Sequence, residues 1–179
     1  SEGLDKLLIE HHRHTSELEQ LDFSHELMHL MIRGRFGNGD VIVRAVRFLD
    51  SRGHEKCTFR TGEPFHMEID YEVKQPVESI MAGIGIERTD GLSCTVTYSP
   101  AKFLDGDVPV RGTIHATIDP FGFLPGRYRV TVALSPEGKP TEVYDLHLLL
   151  YLIRIEERED HPPTGAAWRQ PARFSVSQA

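Results

Sequence analysis

Five residues near the N-terminus have the types and spacing of a metalloenzyme motif: His25-Glu26-Leu27-Met28-His29. On a helix, histidines four apart share a face and can hold zinc, with the intervening Glu as general base. His11, His12 and His14 lie upstream, in a chain with ten histidines. In so histidine-rich a segment the pattern also arises by chance. A zinc hydrolase further needs a sheet and a cleft around the helix, whereas here a glycine-rich loop and a β-patterned region follow. A zinc-dependent hydrolase with His25 and His29 as ligands is therefore kept as an alternative, and no metal is assigned.

A second set of chemistry-bearing residues lies further on. Glu68, Asp70 and Glu72 alternate along one segment, and glycoside hydrolysis needs two acids. Acids on the outer face of a strand are ordinarily just solvated, so they are not read as catalytic. No G-x-x-x-x-G-K-[ST] phosphate loop and no G-x-S-x-G elbow occurs, and Gly34, Gly37 and Gly39 run GxxGxG rather than GxGxxG. In IMAGIGIER, alternation puts Ile80, Ala82, Ile84 and Ile86 inside and leaves Met81, Gly83, Gly85 and Glu87 outside. Two glycines on an outer face make a smooth shelf where a ligand can approach the backbone, although a bulge or strand crossing explains them equally well. Strand parity alone nominates His66, Glu68, Asp70, His115 and Arg129 as hydrogen-bonding neighbours of that shelf.

These residues must be positioned by three regions of different composition. Residues 4–33 lack Gly and Pro up to Arg33, with Leu4, Leu7, Leu8, Leu27, Leu30 and Met31 at helical spacing, which predicts one or two helices. RGRFGNGD (33–40) reads as a hinge-like loop. From Val41 to Ile155 short alternating segments are closed by turn residues: Phe65, Met67, Ile69, Tyr71 and Val73 on one face of a strand; Ile114, Ala116 and Ile118 on another; Tyr128, Val130, Val132 and Leu134 on a third. One buried and one wet face per strand, without intervening helices, predicts an all-β, antiparallel sandwich. The segment 156–171 is charged and then Pro/Gly-rich, too long for an ordinary connection. ARFSVS (172–177) then alternates again, as a last strand that crosses the sandwich or leaves for another subunit.

At 179 residues the chain suits one domain plus an accessory segment. A net charge of −7 argues against a nucleic-acid partner. The longest apolar run, LHLLLYLI (146–153), contains His147 and is too short to span a bilayer. Cys57 and Cys94 form no CxxC pair and suit reduced thiols in a cytoplasmic setting, with a single bridge between them as the open alternative.

Several phrases resemble the C-terminal carbohydrate-binding domain of Wzt-type subunits of O-antigen ABC exporters. They are the glycine-rich entry and following V-x-V-x-x-V-x-F-L-D-x-x-G of Gly37 to Gly53, the F-x-T-G-E and alternating strand of Phe59 to Tyr71, the G-I-G-I-x-R-x-D-G of Gly83 to Gly91, and the L-P-G-R-Y-x-V-x-V-A-L of Leu124 to Leu134. Val143-Tyr144-Asp145 and Phe174-Ser175-Val176 also fit, so the resemblance covers roughly residues 37–177.

The resemblance implies an immunoglobulin-like sandwich over 37–179, preceded by a helical linker (1–36) and by an ATPase domain that would hold ATP and Mg. It implies non-catalytic binding of the exported O-antigen polysaccharide, through its non-reducing terminal region, to select finished lipopolysaccharide chains for export. It further implies a homodimer with exchange of the strand 172–177, a membrane-spanning transporter subunit as partner, and a place at the cytoplasmic face of the inner membrane. Sugar-contacting positions are not carried over, so the candidate carbohydrate contacts remain His66, Glu68, Asp70, Gly83, Gly85, His115 and Arg129. Trp168, the single tryptophan, would stack on a sugar ring or pin the connector. For an anionic cap the available cations are Arg44, Arg88, Arg127 and Arg129. A purely structural protein–protein interaction module is the other alternative.

Overall fold

A computed structural model describes residues 2–15 and 34–157. The described residues form one helix, α1 (Glu2–Thr15), and ten strands: β1 (Gly34–Phe36), β2 (Val41–Leu49), β3 (Thr58–Arg60), β4 (Phe65–Val73), β5 (Ser79–Arg88), β6 (Ser93–Tyr98), β7 (Leu104–Asp105), β8 (Arg111–Ile118), β9 (Gly126–Ser135) and β10 (Asp145–Glu156). The larger sheet runs β1-β10-β9-β5-β6, with β3 also on β10 and β7 also on β5; the smaller runs β2-β4-β8. All pairings are antiparallel except β3 with β10. This is the expected immunoglobulin-like sandwich.

Alternation dictates its core. Val43, Phe48, Met67, Ile69 and Ile114 of the smaller sheet face Ile84, Ile86, Val130, Val132 and Tyr151 of the larger, all buried. At one end Phe65 stacks on Phe121 with ring centroids 4.5 Å apart, and Phe59 and Phe123 pack edge-on against them. The Tyr128 hydroxyl donates to the Leu124 carbonyl four residues upstream, at 2.7 Å. That is the tyrosine-corner arrangement of immunoglobulin-like sandwiches.

The expected hinge at 33–40 is, over Gly34–Phe36, a strand on β10. Arg35 is the reason. Its guanidinium is buried and donates to both carboxylate oxygens of Asp145, at 3.0 and 2.7 Å, and to the Val43 carbonyl. Asp145 also accepts the Val43 N–H at 2.7 Å, so one ion pair ties both sheets together. Burial opposes the Asp145 charge, but His147 and Arg35 hold its carboxyl below the ordinary range. Removing one partner of such a pair costs about 3–5 kcal/mol. Gly37 follows at φ +140°, where an added Cβ would lie 2.2 Å from the Tyr144 carbonyl oxygen. This glycine serves close backbone approach rather than bending.

The face of α1 bearing Asp5, Leu8, Ile9 and His12 docks on the sandwich, whereas Leu7 points to solvent. His12 is buried edge-on against Phe48 and Tyr151, and its Nε2 accepts the Leu152 N–H at 3.0 Å. Burial lowers its pKa to about 4. The helical expectation for 16–33, the connector beyond 157 and the strand 172–177 lie outside the described residues.

Candidate functional site

Residues nominated by strand parity fall on opposite sides of the sandwich. His66, Glu68 and Asp70 of β4 pair in register with Thr117, His115 and Thr113 of β8 on the outer face of the smaller sheet. Gly83 and Gly85 of β5 and Arg129 of β9 lie on the outer face of the larger sheet. Packed sheets lie about 10 Å apart, so one small ligand does not touch both sets.

On the smaller sheet the charges satisfy one another. Arg47 donates to Glu68 at 2.9 Å and to both oxygens of Asp70 at 2.6 and 2.8 Å, and Thr113 adds a bond to Asp70 at 2.7 Å. His115 Nδ1 stands 3.5 Å from Glu68, and His66 contacts the Thr117 hydroxyl at 3.0 Å. Glu72 gathers Lys74, Arg44 and Arg111. Arg47 holds the Asp70 carboxyl below its usual range, and Lys74, Arg44 and Arg111 pull Glu72 down to about 2. A ligand here would have to displace ion pairs already made.

The larger sheet carries a trough of about 310 Å³ instead. Gly83, Gly85, Thr131 and Ala133 form its floor, Val96 and Tyr98 of the edge strand β6 one wall, and Leu146, Leu148 and Leu149 of β10 the other. The shelf foreseen at the two glycines differs at one of them. Gly83 is covered, because Tyr98 lies opposite it and a Cβ there would sit 3.1 Å from that ring. Gly85 remains part-open, beside Thr131. The glycine lets Tyr98 lie against the sheet while the tyrosine stays 51% exposed. Arg129 is not part of the lining.

The far wall is built by an irregularity. Between the pairs His147–Val132 and Tyr151–Val130, residues Leu148, Leu149 and Leu150 stand opposite Thr131 alone. Leu149 has φ 54°, a left-handed conformation that is costly for leucine, and its N–H donates to the Thr131 hydroxyl at 2.9 Å. Two extra residues preserve the inward parity of His147 and Tyr151 and push leucines outward over the trough. Bulges that re-aim side chains are common beside binding sites.

A family model described as the Wzt C-terminal domain matches residues 33–168. The chain belongs to the Wzt C-terminal domain family. A crystal structure described as the C-terminal domain of Wzt superposes with a TM-score of 0.70 at 12% identity, covering 87% of this chain and 98% of that one. The fold is therefore that of the Wzt C-terminal domain. An alkylpurine DNA glycosylase from Pseudomonas fluorescens, solved on DNA with an abasic-site analogue, matches at a TM-score of 0.45 and 12% identity over 65% of this chain and 30% of that one. That likeness is too loose to bear on fold or function. No curated protein matches the chain.

In this Wzt C-terminal domain the phrases that carry the resemblance are turn chemistry. Thr61 donates its hydroxyl to the Phe123 carbonyl, Gly62 adopts φ +85°, and Glu63 accepts the Arg60 N–H and Lys56. Asp50 caps the turn through the N–H groups of Arg52 and His54, and Arg88 clasps Asp90. These turns shape the scaffold, and the strand portions of the same phrases supply Gly83, Gly85, Thr131 and Ala133 to the trough floor. Tyr98, Val96, Thr131, Leu148 and Leu149 were not foreseen as site residues. The run LHLLLYLI gave the one available signal, since its leucines break strict alternation.

The metal alternative finds no extension in the described region. His25, Glu26 and His29 lie outside the described residues, His12 is engaged in the core, and no cluster of three metal-ligating side chains occurs among the described residues. Cys57 and Cys94 are free thiols, and burial pushes Cys57 up to about 12. No described helix is long and apolar enough to cross a membrane.

Proposed function

We propose that this domain binds the exported O-antigen polysaccharide in the trough on the larger sheet, reads its non-reducing terminal region without catalysis, and so selects finished chains for export by an ABC transporter. The observation that carries this reading is an open trough on a family fold, with a half-exposed tyrosine on one wall and a strained bulge building the other. A pyranose has an apolar C–H face suited to Tyr98 and a rim of hydroxyls suited to Ser93, Thr95 and Thr141 along the lining. Affinity is weak, because each hydroxyl bond gains little after desolvation.

In this reading an ATPase domain holding ATP and Mg precedes the sandwich, and two copies meet in a homodimer whose two-fold axis matches a paired transporter. The domain then works at the cytoplasmic face of the inner membrane, beside the membrane-spanning subunit. Titration with the producing strain's O-polysaccharide, and with the same chain trimmed of its terminal residue, tests it. Tighter binding of the intact chain is expected. Equal binding of both removes end recognition, and no binding of either removes the glycan role.

A further inference from the structure

We infer that α1 is a clamp for the β10 bulge: the docked helix and the left-handed Leu149 are two ends of one coupled arrangement. The helix lies outside the span of the family match, 33–168, so its docking is a feature this chain adds to the shared domain. On its outer edge β10 is covered in two pieces, by β1 along Leu146–Leu148 and by β3 along Arg154–Glu156. Among the described residues no strand pairs with 149–153 on that edge. The helix fills the gap. His12 Nε2 accepts the Leu152 N–H at 3.0 Å, Asp5 accepts the Cys57 N–H at 3.2 Å, and Leu8 and Ile9 pack on the core.

The gap coincides with the bulge. Leu148, Leu149 and Leu150 stand opposite Thr131 alone, and the Leu149 N–H donates to the Thr131 hydroxyl. Inside the sandwich the two ends of the bulge are joined, because the Tyr151 hydroxyl hydrogen-bonds His147 Nδ1. The Tyr151 ring also meets His12 edge-on, with centroids 5.2 Å apart. Tyr151 thus touches both the helix and the base of the bulge, and the next residue carries the bond to His12. A left-handed leucine costs free energy and persists only while its surroundings over-determine it. With α1 docked, Thr131 pins Leu149 and His12 holds the chain three residues further on. With α1 released, the second hold is gone and the bulge relaxes towards extended backbone, moving its outward leucines. Such coupling is reciprocal, so whatever stabilises the bulge also favours docking. In the proposed reading the upstream domain connects through α1, and a pull on the helix would reach the trough wall through β10.

Amide hydrogen exchange in the isotopically labelled chain tests the clamp without any ligand. Ile9→Asp, on the helix and outside the trough lining, undocks α1. The amides of Leu152 and Leu149 should then both exchange about tenfold faster, within the usual range of such coupling, while the β4–β8 ladder stays as slow as before. Faster exchange at Leu152 with Leu149 unchanged overturns the inference, as does no change at either. Should Ile9→Asp speed exchange across the whole sandwich, the reciprocal variant decides. Thr131→Val removes the acceptor of Leu149 at nearly constant shape and should raise exchange at Leu152 as well as at Leu149; an unchanged Leu152 overturns the clamp. Where the O-polysaccharide binds, Ile9→Asp should weaken it about fivefold. Unchanged affinity beside coupled exchange removes the glycan from that wall, and so overturns the trough reading and not the clamp.

Discussion

The two outer faces of this sandwich arise from the same strand pattern yet do opposite things. On the smaller sheet every outward position of β4 is polar, and Arg47, Glu68, Asp70 and Thr113 close a network among themselves. On the larger sheet the outward positions of β5 and β9 include Gly83, Gly85 and Ala133, and the neighbouring strands rise around them as walls. A face rich in hydrogen-bonding groups is thus a poor binding surface, because its groups are spent on each other. A face with small residues along its floor keeps open volume between its walls, which is where the proposed glycan site lies. Ligand capacity follows from unfilled volume beside unspent surface, and not from the number of polar atoms.

The contrast breaks most sharply where the trough is filled. Ala133→Arg should lower polysaccharide affinity by more than about 100-fold, equivalent to roughly 2.7 kcal/mol, with an unchanged far-ultraviolet spectrum. Retained binding in a titration would move the site elsewhere. Tyr98→Ala should cost about tenfold in affinity, since truncating an aromatic anchor removes a large share of a small interface. Its melting temperature should move little, because the ring is half exposed.

The melting temperature should also carry two acid steps that binding does not share. His12 has a pKa lowered to about 4 in the folded state, so the unfolded chain takes up the proton first as pH falls below about 6.5. Its contribution is complete above that value and is lost by about pH 4. Asp70 and Glu72, depressed by Arg47 and by Lys74, Arg44 and Arg111, contribute fully above the ordinary carboxylate range and lose that contribution as pH falls through it towards about 2. Calorimetry across pH 2–8 reads both, and His12→Gln should flatten the upper step alone. The smallest effect belongs to the charged face. The double change Glu68→Gln and His115→Ala should alter glycan affinity by less than about twofold and stability by less than about 1 kcal/mol. A larger loss of binding would reinstate that face as the site.

Much of this was legible in the chain. Period-two alternation in β4, β8 and β9 placed Met67, Ile69, Ile114, Val130 and Val132 inside, because a half-buried strand has no other way to bury them. The family phrases pointed to the right fold because Gly62, Asp50 and Tyr128 satisfy local turn geometry, which a short stretch of sequence encodes by itself. The glycines at 83 and 85 were noticed for the same reason: a gap in a side-chain row shows in the sequence.

What covers such a gap does not show. Tyr98 is fifteen residues from Gly83 in the chain and reaches it only through the β5–β6 register. The bulge that turns Leu148 and Leu149 over Thr131 depends on how β10 meets β9. Arg35 looked like part of a loop because its partner, Asp145, lies 110 positions away. Nor could parity say which outer face was which, since it assigns inside and outside to each strand without assigning strands to sheets. The sequence by itself determined an alternating β-sandwich with its turns and core. Only the tertiary structure put His66, Glu68, Asp70 and His115 on one face and the glycines with Arg129 on the other, because cross-strand register and sheet membership depend on contacts between distant segments.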